Sequence, residues 1–261
     1  MNQEERLDYL INYLINENKE NGEALSRRYS NKKDLLRALF NVRDPKEASN
    51  EFIEIQDEYL KEEIMSKGST SLNDIEEIEK DIYLWKGDIT TLKCDAIVNA
   101  ANNYLLGCFT PNHYCIDNAI HTFSGVQLRN KCAELMKGKL EETGKARITP
   151  AYNLPSKYVI HTVGPIVYMR LTNKEEALLK SCYKECLNVA VNNELKSIAF
   201  CCISTGVFGY PQEKAAKVAI STVKEFKEIN KSDIKIIFNV FKDEDERIYR
   251  SLLSGYKRIK E

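Results

Sequence analysis

Between Asn99 and His121 the chain reads NAANNYLLGCFTPNHYCIDNAIH, and this stretch constrains what can be built around it. An apolar run, Ala96-Ile97-Val98, leads in, and an amphipathic helical pattern beginning near Asp117 leads out. The loop between them holds two of the eight cysteines and one of the three histidines. Cys108, His113 and Cys115 form a C-x4-H-x-C cluster interrupted by Pro111, so the loop can fold back and aim three soft donors at one point. Thiolate together with imidazole selects zinc among the common cellular cations, at roughly 2.0 to 2.3 Å. Structural zinc normally takes four protein ligands, whereas three leave the open position of catalytic zinc. The spacing matches no standard zinc finger, so a plainer reading stands beside this one: small buried thiols and a polar loop histidine.

At 261 residues, 43% of them hydrophobic, the chain can hold one full-sized domain and an accessory element. No run approaches the roughly 18 apolar residues of a membrane span, and MNQEERLDYL is too acidic and polar for a secretory signal. A cytoplasmic protein with no membrane partner is expected. The cysteines lack a disulfide-like spacing, so reduced thiols are the default. Cys182 with Cys186, and Cys201 with Cys202, read as core.

A near-neutral total hides an asymmetry. Residues 1 to 80 hold 12 Lys+Arg against 19 Asp+Glu, a net of −7, and the remainder carries +6. The second part suits a phosphate-bearing ligand, but its excess is too small and scattered for a nucleic-acid surface.

Leu7, Leu10, Ile11, Leu14 and Ile15 place an amphipathic helix over residues 2 to 20, and two more follow at 32 to 41 and 49 to 66. Lys67 to Ser71 reads as a linker, followed by a short acidic segment. Residues 1–75 are therefore taken as a helical extension docked on a main domain, 76–261, with a separate partner-binding domain as the alternative. From Ile82 strands alternate with helices. Strands are expected at 82–85, 96–99, 146–149, 158–162, 197–200 and 234–239, and helices at 117–136, 174–193, 211–229 and 243–254. Such alternation predicts an α/β fold with a largely parallel sheet, binding ligands at the carboxyl ends of its strands.

A second loop, Ser204 to Pro211 (STGVFGYP), follows the apolar run Ala199 to Ile203 and precedes a helix. Its glycines can turn backbone N–H groups toward an anion, and the helix N-terminus adds partial positive charge. It has neither the Lys of a Walker A loop nor the G-x-G-x-x-G order of a dinucleotide fold. A diphosphate cradle and an ordinary strand-to-helix turn are both compatible with it. Phe208 and Tyr210 would offer a ligand ring or sugar an apolar face.

Gly87-Asp88-Ile89-Thr90, Val98 to Asn102 (VNAAN), His161 to Pro165 (HTVGP) and Ser204 to Pro211 occur in an order and spacing that resemble the macrodomain, an ADP-ribose-binding module. The resemblance covers about residues 81 to 257. The long loop with C-x4-H-x-C, followed by Ile116 to His121 (IDNAIH), resembles the zinc-dependent branch of that family. That branch is known for a helical N-terminal extension and for hydrolysing mono-ADP-ribose from proteins. The fold so implied is a three-layer α/β/α macrodomain with a mixed, largely parallel sheet behind a small helical element.

The resemblance also implies roles. Asp88 would accept a hydrogen bond from the adenine amino group with the Ile89 backbone nearby, although a turn-capping carboxylate is the plainer role for Asp88. Phe241 would stack on adenine. Backbone amides of Ser204, Thr205, Gly206, Val207, Phe208 and Gly209 would hold the diphosphate. Asn102 would hydrogen-bond the distal ribose through both faces of its amide. Asp117 matches the position of the catalytic Asp, yet it also stands where a helix N-cap would be. His121 and His161 read as structural. One Zn2+ on Cys108, His113 and Cys115 would act beside Asn102 and Asp117, cleaving the ester between ADP-ribose and an Asp or Glu side chain. A non-catalytic ADP-ribose reader with a structural zinc, or a hydrolase of small ADP-ribose esters, would use the same site. The implied partner is an ADP-ribosylated protein, with a lipoyl carrier of the glycine-cleavage H type, modified by a sirtuin, as the natural candidate.

Overall fold

The computed structural model describes residues 1–257. Four helices come first: α1 (Gln3–Glu17), α2 (Lys19–Arg28), α3 (Lys32–Val42) and α4 (Asn50–Lys67). Asn2 starts α1 through a capping box with Glu5, and Asn31 starts α3 by accepting from the Lys33 and Asp34 amides. These caps satisfy amides that the helix itself leaves unpaired. Leu7, Leu10, Ile11 and Leu14 of α1 pack with Leu36, Leu39, Phe52, Tyr59 and Leu60 into a core of their own. The periodicity around Glu17 to Arg28 does not continue α1. Asn18 ends α1 and caps α2, a helix the sequence reading did not separate.

Short pieces then lead into the sheet: β1 (Thr70–Ser71), β2 (Glu76–Glu79), β3 (Ile82–Lys86), β4 (Leu92–Lys93) and β5 (Ala96–Ala101). The expected linker is not free chain, because Thr70 and Ser71 pair in parallel with Leu92 and Lys93. The acidic segment after it is also ordered, as β2 against β3. The rest runs α5 (Ile116–Ser124), α6 (Val126–Met136), β6 (Ala146–Pro150), β7 (Tyr158–Val163), α7 (Asn173–Asn192), β8 (Ser197–Phe200), α8 (Gln212–Asn230), β9 (Lys235–Val240) and α9 (Asp243–Lys257). The helix expected over 117–136 is two helices. Gly125, at φ +91°, breaks it, and a Cβ there would lie 2.6 Å from Gln56 Nε2.

Seven strands form one sheet in the order β2-β3-β9-β8-β5-β7-β6. The five central strands are parallel, and the edge strands β2 and β6 are antiparallel to their neighbours. Helices α7, α8 and α9 pack side by side as one layer, and α5 and α6 belong to the other. Coverage on both faces explains why β5 reads as a continuous apolar run and is buried along nearly its whole length. This three-layer α/β/α arrangement with a mixed, mostly parallel sheet agrees with the expected fold class. The extension packs behind α5 and α6: α3 and α4 both contact α5, and Phe123 touches the helical core and the sheet core alike.

All eight cysteines are unpaired thiols. Cys182 and Cys186 are wholly buried and Cys201 nearly so, but Cys202 is only half-buried, at the carboxyl end of β8.

Two stability measurements test this packing. Phe52 is fully buried with its ring 4.4 Å from that of Tyr13, so Phe52→Ala should cost about 3 to 5 kcal/mol in urea unfolding. Asp95 joins β5 to β8 by accepting from the Lys196 and Ser197 amides at 2.7 and 3.1 Å, and it pairs with Lys157 at 2.7 Å. Burial raises its pKa, but Lys157 and the two amides outweigh that and bring it below the ordinary carboxylate range. Its stabilisation is therefore present above the unfolded pKa of about 3.9 and is lost as pH falls through the folded value. Asp95→Asn should cost about 1 kcal/mol at pH 7, and the gap from wild type should close in strong acid.

Candidate functional site

Because β3, β9, β8, β5 and β7 run parallel, their carboxyl ends share one edge of the sheet. Asp88 follows β3, Asn102 follows β5, Gly164 follows β7, Ser204 closely follows β8 and Phe241 follows β9. The sequence motifs thus meet along one cleft edge.

Asp88 accepts from the Thr90 amide and hydroxyl at 3.0 and 2.6 Å, capping the short 3-10 turn Ile89–Thr91. Its other oxygen takes Lys67 Nζ at 3.2 Å. Burial raises the pKa of this carboxyl, but Thr90 and the Lys67 ammonium prevail and hold it below its ordinary value. Lys67 ends α4 and lies 3.5 Å over the Phe123 ring, a cation–π contact that fixes it. Ile89 is buried, and Phe241 is 76% exposed, leaving an aromatic face open to the cleft edge.

In the Ser204 to Pro211 loop, Ser204 and Gly209 adopt positive φ, at +66° and +68°. The loop closes on itself through Gly209 N–H to Gly206 O and Tyr210 N–H to Ser204 O, both 3.0 Å. Among the described residues, the amides of Gly206, Val207 and Phe208 donate to no protein acceptor. A nest of free N–H groups before a helix N-terminus suits an anion. Gly164 makes the approach possible, since a Cβ there would lie 2.1 Å from Ser204 Oγ. Tyr210 departs from expectation. It is 2% exposed and packs into the sheet core, so it offers a ligand nothing; Phe208 is half-buried.

Asp117 is not the N-cap of α5. Cys115 holds that place, its Sγ accepting from the Asn118 amide at 3.4 Å, and Asp117 lies in the first turn, aimed inward. It is 5% exposed; Oδ1 accepts from Asn99 Nδ2 at 2.7 Å, and Oδ2 lies 3.4 Å from Asn102 Nδ2. Burial pushes its carboxyl up to about 6, against the opposing pull of Asn99 and Arg129. The Asn102 amide is engaged on both sides: Nδ2 also donates to Gly107 O at 3.0 Å, and Oδ1 accepts from Tyr104 N–H at 3.0 Å. In this conformation Asn102 shapes the loop, and only the second lone pair of Oδ1 remains for a sugar hydroxyl.

Cys108, His113 and Cys115 converge. Their donor atoms lie within 4.8 Å of one another, with Cys108 Sγ 3.6 Å from His113 Nδ1. All three are half-buried. Burial pushes the Cys115 thiol up to about 12, although the Asn118 amide pulls it down. Two sulfurs and an imidazole this close form a soft donor set suited to zinc, whose binding displaces the thiol protons.

A second cluster, His121, Cys132 and His161, is wholly buried, with donor atoms also within 4.8 Å. Here both ring nitrogens of His161 are already engaged. His161 has Asn99 Nδ2 at 3.2 Å on Nδ1 and Thr149 Oγ1 at 3.0 Å on Nε2. Burial drives both imidazoles toward the neutral form, His161 to about 4, and the Arg129 guanidinium pushes His121 further down. This is packing of neutral rings, as expected for these two histidines.

Sequence reasoning assigned no role to Arg37, Lys67, Asn99 or Arg129. Arg129 Nη1 donates to the Phe40 and Asn41 carbonyls, both at 3.0 Å, and to that of Arg43; Nε donates to Leu106 O at 2.7 Å. Its guanidinium also lies 4.3 Å over the Phe109 ring. One legible signal existed: Arg129 interrupts the Val126, Cys132, Met136 stripe, an arginine on a face otherwise turned to the core.

Comparisons with known proteins agree with this geometry. A family described as Macro domain matches residues 98–219. A Treponema medium protein named protein-ADP-ribose hydrolase is 52% identical over 261 residues, covering 97% of this chain and 100% of its own. A Staphylococcus aureus (strain MSSA476) protein of the same name is 46% identical, covering 94% of each. Among solved structures, a Trypanosoma brucei macrodomain in complex with ADP-ribose aligns at TM-score 0.65 and 28% identity, covering 83% of this chain and 94% of its own. An Oceanobacillus iheyensis macrodomain with ADP aligns at TM-score 0.63 and 35% identity, over 70% of this chain and 96% of its own. With a family model matched over residues 98–219 and a relative 52% identical over its full length, the chain belongs to the Macro domain family.

Proposed function

We propose that this protein is a zinc-dependent protein-ADP-ribose hydrolase that removes mono-ADP-ribose from Asp or Glu side chains of a modified protein. The observation that carries the reading is the convergence of Cys108, His113 and Cys115 on the loop that also holds Asn102 and Asp117 against each other. The protein-ADP-ribose hydrolase name of relatives at 52% and 46% identity supports the hydrolase part. The ADP-ribose-bound Trypanosoma brucei macrodomain supports the ligand.

The chain's own residues would divide the work. Asp88, held ionised, accepts from the adenine amino group beside the Ile89 backbone, while the exposed Phe241 ring covers the base. The unpaired amides of Gly206, Val207 and Phe208, with those of Ser204, Thr205 and Gly209 around them, grip the diphosphate. Asn99 orients Asp117, which in turn orients Asn102 toward the distal ribose. Cys108, His113 and Cys115 would hold the zinc ion, which supplies Lewis acidity at the reacting end of the ligand. Binding substrate and product equally well would give no rate, so the donor loop must favour the transition state. A lipoyl carrier of the glycine-cleavage H type, modified by a sirtuin, is the partner that the family resemblance supplies.

Two experiments test this. Cys108→Ala and Cys115→Ala should each lose release of ADP-ribose from an automodified target at least ~100-fold while keeping ADP-ribose binding, and a chelator should reproduce the loss in wild type. Full activity in verified zinc-free protein would leave no role for the ion, and binding without release in loaded wild type would make the module a reader. Asp88→Ala should weaken ADP-ribose binding about 10-fold in calorimetry, the cost of one lost charge-assisted hydrogen bond.

A further inference from the structure

The geometry points to helix α3 as a working part of the metal site: Arg37, acting through Asn118 and the His113 carbonyl, is the positioning residue that holds the donor loop in its metal-receiving shape. This rests on the zinc reading above and deepens it. Arg37 Nε and Nη2 both donate to Asn118 Oδ1, at 3.1 and 2.8 Å, and Nη2 reaches His113 O at 3.4 Å. Asn118 is fully buried, and its remaining groups face the loop: Nδ2 donates to Thr110 O at 3.1 Å, and its N–H donates to Cys115 Sγ at 3.4 Å. One planar guanidinium is thus tied to the backbone of His113 directly and to the Cys115 sulfur through a single intervening residue.

The same helix pins the turn of the loop. Asn41 Oδ1 accepts from the Asn112 amide at 2.9 Å, and Asp34 O accepts from Asn112 Nδ2 at 3.0 Å. Asn112 sits at φ +53°, in the left-handed region that asparagine tolerates well, and the two bonds from α3 hold it there. His113 is the next residue, so the direction its ring takes depends on this turn. A thiol and an imidazole gain nothing from proximity unless they are aimed, and groups that orient metal ligands typically govern 10- to 100-fold in affinity. The fork of an arginine can serve an amide oxygen and a carbonyl together, which a lysine ammonium cannot do with the same geometry.

The test measures zinc affinity of the full chain by competition with a chromophoric chelator, with thermal unfolding and ADP-ribose binding measured on the same samples. Arg37→Met should bind zinc about 10- to 100-fold more weakly and keep its affinity for ADP-ribose. Lys32→Met is the control: it breaks exposed pairs of the same helix with Glu4 and Asp8 and should bind zinc like wild type. If Arg37→Met does not fold, Arg37→Lys takes its place, with about 10-fold weaker zinc binding expected. Wild-type zinc affinity in the Arg37 variant overturns the inference, as does an equal loss in Lys32→Met, which would mark general loosening of the helices. A wild-type chain that takes up no zinc removes the zinc reading itself, and this inference with it.

Discussion

The buried guanidinium of Arg129 sits where the two halves of this molecule meet and bonds to the extension. It closes the carboxyl end of α3 by bonding the Phe40, Asn41 and Arg43 carbonyls, and it bonds Leu106 in the loop before Cys108. A helix end with its last carbonyls buried needs such a partner, and the negative end of its dipole favours a positive one. Burial drags the guanidinium down to about 10, with Asp117 supporting the charge from the site side. Burying this charge is offset by the carbonyls on Nε and Nη1 and by the Phe109 ring beneath the guanidinium plane. The extension, the donor loop and the inward-facing aspartate are therefore parts of one polar network.

That network divides the site into a part built on the sheet and a part held by the helices. The part at the strand ends has a glycine that permits close approach and free amides, all provided by the sheet. The other half is a loop held from outside: from α3 by Arg37, Asn41 and the Asp34 carbonyl, and from α6 by Arg129. Asp88 links the two, since its turn belongs to the sheet domain while its ammonium partner, Lys67, comes from the last helix of the extension.

The fold was legible because its signals are local. Apolar runs such as Ala96 to Val98 and stripes such as Leu7 to Leu14 announce strands and helices through period alone, and the four motifs fall at strand ends by their spacing. Cysteines and a histidine eight positions apart at most could be read as a cluster for the same reason. Other features were hidden because they depend on what arrives from elsewhere in the chain. Asp117 looks like a cap until Cys115 is seen to occupy that place, and Gly125 looks like an ordinary helical residue until Gln56 crowds it. Tyr210 looks like a ligand-facing ring, but its loop turns it into the core. Arg37 carried no signal, because its partners lie 76 and 81 positions further on.

The small parallel pairing of Thr70 and Ser71 with Leu92 and Lys93 has a further consequence. It splices the end of α4 to the segment immediately beyond the Asp88 turn, so extension and nucleotide pocket share a covalent and a hydrogen-bonded seam. Removing the extension would therefore take Lys67 from the Asp88 turn and Arg37 and Asn41 from the Cys108 to Cys115 loop in one step.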